Sequence, residues 1–145
     1  MNTRAYLMQL RNIDLEIANS ESEAQSWRDL ALKLHHEPSD VRVDTSPAPD
    51  KMESLVVKAA DCALKAEKER ETLVYTKYVI EKQIKGMDDK DMRIILWLYY
   101  HDKHSHKEVA KKMNYSPDYE KHQMNTAIKM FERKFGHEYL RNDTK

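Results

Sequence analysis

At 145 residues the chain has room for one compact domain, or for a small domain with a helical extension. Two glycines, four prolines and an abundance of Ala, Glu, Lys, Leu, Met and Gln favour helix and argue against a sheet protein. Charged residues make up 34% and cancel to zero, so total charge announces neither a nucleic acid nor a membrane partner, and only its distribution can.

From Arg4 to about His35, apolar residues recur at Leu7, Leu10, Ile13, Ile17, Ala24, Trp27, Leu30, Ala31 and Leu34. Steps of three and four predict one long amphipathic helix. The acids and arginines of its opening, MNTRAYLMQLRNIDLE, stand where a signal peptide needs an apolar core. The stretch HHEPSDVRVDTSPAPD then gathers three prolines and predicts a loop over residues 36–50, with Pro38 stopping the helix. His35 and His36 read as favourable charge at a helix C-terminus.

Asp50 is expected to cap a second helix, with Glu53 at the capping-box spacing. Its stripe runs through Met52, Leu55, Val56, Ala59, Cys62 or Ala63, Ala66, Leu73, Thr76, Val79, Ile80 and Ile84, ending near Gly86. Two such helices predict an antiparallel hairpin, with coiled-coil character and a homodimer as the expected assembly. Glu67 and Glu71, among Lys65, Lys68 and Arg70, read as a solvated face. Cys62, the single cysteine, excludes an intrachain disulfide and fits a reducing compartment. No apolar run approaches the ~20 residues of a membrane span. A soluble, cytoplasmic protein without a membrane partner is expected.

Asp88 or Asp89 is expected to cap a third helix that faces Met92, Ile95, Leu96 and Tyr99 inward. Ile94, Trp97, Leu98 and Tyr100 make it apolar almost all round, which places it centrally in a bundle. The cluster His101, His104 and His106 reads as a solvated turn, because no fourth metal ligand is evident. Trp27 and Trp97 read as core or interface anchors, not as stacking platforms for single strands.

SHKEVAKKMNYSPDYEKHQMNTAIKMF then predicts two helices joined by a tight turn. Ser105 caps the first, whose inner face is Val109, Ala110 and Met113. Asn114 tolerates a left-handed turn, and Tyr115 tucks in behind it. Ser116 caps the second helix with Pro117 at its first position. That helix is expected to bury Met124, Ala127, Ile128, Phe131 and Phe135. Lys121, His122, Asn125 and Lys129 are then exposed, with Tyr119 near the start. The spacing is that of a helix-turn-helix, whose second helix enters the major groove of DNA. From His101 onward ten Lys or Arg stand against seven Asp or Glu, a formal +3. No glycine-rich phosphate loop, nucleophile–base pair or helical His/Glu metal motif occurs, so neither an enzyme nor a cofactor or metal is expected.

RIILWLYYHDKHSHKEVAKKMNYSPDYEKHQMNTAIKMF resembles the C-terminal helix-turn-helix of sigma factors, region four. Ser105, Glu108, Val109 and Ala110 match its first helix. Met113, Tyr115 and Ser116 match its turn, and Ala127, Ile128 and Phe131 the end of its recognition helix. Together with the upstream helical hairpin, the chain resembles the ArpU/RinA-like transcriptional regulators of phages and prophages of Gram-positive bacteria, associated with control of late genes. The resemblance implies an all-α fold, a long antiparallel helical hairpin (residues 1–86) followed by a C-terminal helix-turn-helix bundle (residues 87–145). It implies double-stranded DNA as the partner, with RNA polymerase or a second copy docking on the hairpin. Lys121, His122 and Asn125 would approach base edges, Asn125 toward adenine, with Tyr119 near the helix start among the DNA-binding residues, and Lys107, Lys111, Lys112, Lys129 and Arg133 would contact phosphates. Two residues depart from the pattern. Asp118 suits the dipole of a first turn. Glu120 stands where the family has an apolar residue, and either accepts a cytosine amine or marks a protein that has lost DNA binding. The rivals are a protein-interaction module and a small-terminase-like DNA-packaging protein.

Overall fold

The computed structural model describes residues 1–35 and 49–140; the expected loop, with Pro38 and His36, falls almost wholly outside them. The fold is all-α, with five α-helices among the described residues. They are α1 (Thr3–His35), α2 (Pro49–Lys85), α3 (Lys90–Leu96), α4 (His106–Met113) and α5 (Pro117–Tyr139), and a π-helical turn, Trp97–His101, continues α3. α2 begins at Pro49, so Asp50 lies inside the helix instead of capping it; proline at a first helical position sacrifices no hydrogen bond. Gly86 follows the end of α2 as expected, although its φ is not positive.

The chain divides into two compact units, and the division is not at residue 86. One unit comprises Met1–Asp14 with Tyr75–Lys145, the other Leu15–Val74. Within each, α1 and α2 run antiparallel. In the first unit Lys77 Nζ lies 2.6 Å from Asp14, and Tyr6 donates to Gln83 Oε1 at 2.6 Å. In the second, Arg28 pairs with Glu67 and Arg70 with Glu21, so Glu67 is a cross-helix partner and not part of a purely solvated face.

The physical reason for the shifted boundary lies in the first turns of α1. Leu7, Leu10 and Ile13 are buried together with Ile80 and Ile84 of α2, Met92, Ile95 and Leu96 of α3, Val109 and Ala110 of α4, and Met124, Ala127 and Phe131 of α5. Tyr6 stacks on Tyr139 with ring centroids 4.0 Å apart and leans on Phe131 at 6.2 Å. Tyr139 in turn donates to Thr3 Oγ1 at 2.8 Å. The helix-turn-helix therefore closes its core only with the base of the hairpin.

The π turn corrects the expected inward face. An α-helical repeat from Met92 through Leu96 points Tyr99 inward. The wider π turn holds one more residue, which shifts the phase, so Tyr100 is buried and Tyr99 half-buried. Asp89, not Asp88, caps α3 by accepting from the amides of Asp91 and Met92. Phe135, expected in the core, is half-buried beside Phe131.

Burial pushes the hydroxyls of Tyr6 and Tyr100 up to about 12 from the ordinary 10.0. The folded state thus favours the neutral phenols. Their contribution is complete below pH 10 and is lost as pH rises toward 12. In an alkaline titration a fraction of the eight tyrosines should ionise, by absorbance near 295 nm, only as helical circular dichroism collapses. Ionisation of all of them with the helix signal intact would refute this burial.

The second unit is packed differently. Among its described residues the buried side chains are all small: Ser20, Ala24, Ala59, Ala63 and Ala66. Leu15, Leu30, Leu32, Leu55, Val57, Leu64 and Val74 are exposed instead, including two residues, Leu30 and Leu55, that the stripes had placed inside. Cys62 is half-buried, with Ala63 on the inner face. Among the described residues no helix is long and apolar enough to cross a membrane.

Candidate nucleic-acid interface

α4 and α5 are set by local chemistry at each end. Ser105 Oγ accepts from the Glu108 amide at 3.2 Å and starts α4. Asn114 adopts the left-handed region (φ 57°, ψ 40°), and the Tyr115 amide closes the turn on the Ala110 carbonyl at 2.8 Å. Ser116 Oγ accepts from the Tyr119 amide at 3.2 Å, and Pro117 opens α5. Val109, Ala110, Met124, Ala127, Ile128 and Phe131 lock the pair into the core, while Met113 and Tyr115 are half-buried at the turn. This is the helix-turn-helix geometry expected from the residue pattern.

On the outer side of α5, Lys121, His122 and Lys129 are exposed. Asp118 shares the first turn, where a carboxylate suits the helix dipole. Tyr119 is exposed, meets Tyr115 edge-on at 4.7 Å, and its hydroxyl accepts from Gln123. Lys107, Lys111 and Lys112 are exposed along α4. Two expected contacts are placed otherwise. Asn125 is half-buried, and its Oδ1 accepts from the Arg4 guanidinium of α1. Arg133 lines a separate cleft with Met87, Asp88, Met130 and Lys134, where Lys134 pairs with Asp88 at 3.0 Å.

The main correction concerns Glu120. It is 2% exposed and does not face outward at all. Its Oε1 lies 3.0 Å from His106 Nδ1, joining the first turn of α5 to the start of α4. The His106 ring stacks on Tyr99 at 4.3 Å, and the Arg11 guanidinium covers Tyr99 at 4.3 Å. A carboxylate can occupy this inward position because the His106 ring nitrogen lies within hydrogen-bond distance of it. No buried side-chain nitrogen or oxygen among the described residues lacks a hydrogen-bond partner. Glu120 therefore neither reaches toward a cytosine nor places negative charge on the outer face.

The other histidines pair with different carboxylates. His101 approaches Glu81 at 3.3 Å and Asp102 at 2.9 Å, and His104 meets Glu108 at 2.8 Å. The His104 contact holds the Glu108 carboxyl below its usual range. Among the described residues no group of three or more His, Cys, Asp or Glu could hold a metal ion. Trp97 stacks on His101 at 3.8 Å and carries Lys85 over its ring, so it is half-buried structure.

Arg4 is the residue at this surface that the sequence pattern did not single out. It lies 121 positions from Asn125, and no local signal could have joined them. No family model, curated protein or solved structure matches the chain.

Proposed function

We propose that the protein is a transcriptional regulator that binds duplex DNA through α4 and α5, of the phage or prophage late-gene kind that its sequence resembles. The observation that carries the reading is the removal of Glu120 from the outer face of α5. With that carboxylate buried on His106, the face left around Lys121, His122 and Lys129 is basic, flanked by Lys107, Lys111 and Lys112 of α4. Asp118 is its remaining early acid. Lys121 and His122 stand in the first turns, the part of such a helix that reaches base edges, and the α4 lysines suit phosphates.

The test is fluorescence anisotropy on random duplex DNA and on the upstream genomic region across a salt series. Binding should weaken steeply with salt; Lys129→Ala, at a phosphate contact, should lower the log–log slope by about 0.9, and Lys121→Ala should weaken binding of the genomic fragment more than of random duplex. Absence of binding at low salt would overturn the reading.

One observation favours a protein partner in addition. In the unit Leu15–Val74 the helices bury small residues and leave leucines and valines outside, and outward apolar side chains suit docking of a second copy or of RNA polymerase. A homodimer would present two recognition helices to paired half-sites.

A further inference from the structure

We infer that Arg4 is a phosphate-contacting residue of the α5 face and that Asn125 positions it, an assignment that rests on the DNA-binding reading. Arg4 is exposed on the first turn of α1, and its guanidinium nevertheless donates to Asn125 Oδ1 on α5. Asn2, Arg4, Asn125, Ile128, Lys129 and Glu132 line a solvent-open cleft of about 460 Å³. Lys129, one helical turn beyond Asn125, brings a second cation to the same cleft.

The chemistry follows from the donor count. A guanidinium carries five N–H donors in a rigid fork. One engaged by Asn125 fixes the plane of the group and leaves others to grip a phosphate oxygen. Asn125, for its part, offers Arg4 the same oxygen that an adenine contact would use to accept from the N6 amine, so the two arrangements compete. It also lies more than two turns into α5, past the N-terminal residues that reach base edges in a helix-turn-helix. Backbone phosphate, not a base edge, is what this part of the helix meets. Glu132 also lines the cleft, so Arg4 and Lys129 bring two cations against one carboxylate.

A salt series with five proteins tests this: wild type, Arg4→Ala, Arg4→Lys, Asn125→Ala and the Arg4→Ala/Asn125→Ala double variant. Arg4→Ala should lower the log–log salt slope by about 0.9. It should weaken random and genomic duplexes by the same factor, because phosphate contacts carry no sequence information. Arg4→Lys should keep the slope and lose part of the affinity, since it retains charge without the fork. Asn125→Ala should weaken binding in the wild-type background and add nothing in the Arg4→Ala background. A wild type that binds while Arg4→Ala keeps its slope overturns this assignment alone, as does an Arg4→Ala protein with altered base preference. A wild type that binds no duplex overturns the DNA-binding reading and this assignment with it.

Discussion

A fragment consisting of residues 87–145 should not fold cooperatively, although it contains the entire helix-turn-helix. The core around Phe131, Ile95 and Leu96 is completed by Tyr6, Leu7, Leu10 and Ile13 of α1 and by Ile80 and Ile84 of α2. Removing those six side chains exposes the apolar surface they cover. Each fully buried side chain of this size is worth about 1.5–3 kcal/mol. Together they amount to about 9–18 kcal/mol, as much as or more than the roughly 5–15 kcal/mol that separate a folded protein from its unfolded chain. Thermal circular dichroism of the fragment should show a broad, sloping loss of helix, whereas the full chain melts with a defined midpoint. A sharp transition in the fragment, with dispersed amide signals, would show that the base of the hairpin is dispensable. The result also bears on the use of isolated C-terminal pieces for DNA binding: their failure would report unfolding, not lack of affinity.

His106→Ala should destabilise the protein by about 1–3 kcal/mol. The substitution removes the ring nitrogen 3.0 Å from a carboxylate that is almost wholly buried, together with the face on which Tyr99 stacks. The buried carboxylate loses its partner, a cost limited by the water that enters where the exposed His106 ring stood. Adding Glu120→Gln to His106→Ala should restore part of the loss, since a neutral amide is cheaper to bury than a carboxylate. Urea denaturation of the two proteins reads the difference directly. The single variant Glu120→Gln has a second use. If Glu120 accepted a cytosine amine, its loss would cost about 1–3 kcal/mol of discrimination at one base pair. Buried on His106, it should leave sequence preference unchanged. An unaltered midpoint in His106→Ala would refute the structural role of this pair.

Both outcomes turn on the same feature, the closeness of α1, the π turn, α4 and α5 in one core. Arg11 over Tyr99, Tyr99 on His106 and His106 on Glu120 make a continuous series of contacts from α1 to α5. Asp14 adds a further tie, joining Lys77 of α2 and Lys103 after the π turn at 2.6 and 2.8 Å. The two ammonium groups hold its carboxyl below the usual range.

The sequence by itself determined the helices and the ends that meet at the turn between α4 and α5. Ser105, Asn114, Ser116 and Pro117 act on backbone groups within four residues of themselves, so their consequences are local and readable. Apolar spacing likewise identified Leu7, Leu10, Ile13, Ile84, Ile95, Met124 and Phe131 as inward. The tertiary structure alone decided which helices share a core, because Tyr6 meets Tyr139 across nearly the whole chain. It decided the fate of Glu120, which stands one turn before Met124 on the inward stripe and whose burial depends on a histidine fourteen residues away. It decided the phase slip at Trp97–His101, since one π turn moves every later side chain off the α-helical repeat. It also separated Asn125 from the other outward residues of α5 by bringing Arg4 against it. Short-range signals fix backbone conformation; the worth of a charged side chain depends on the partner that folding places beside it.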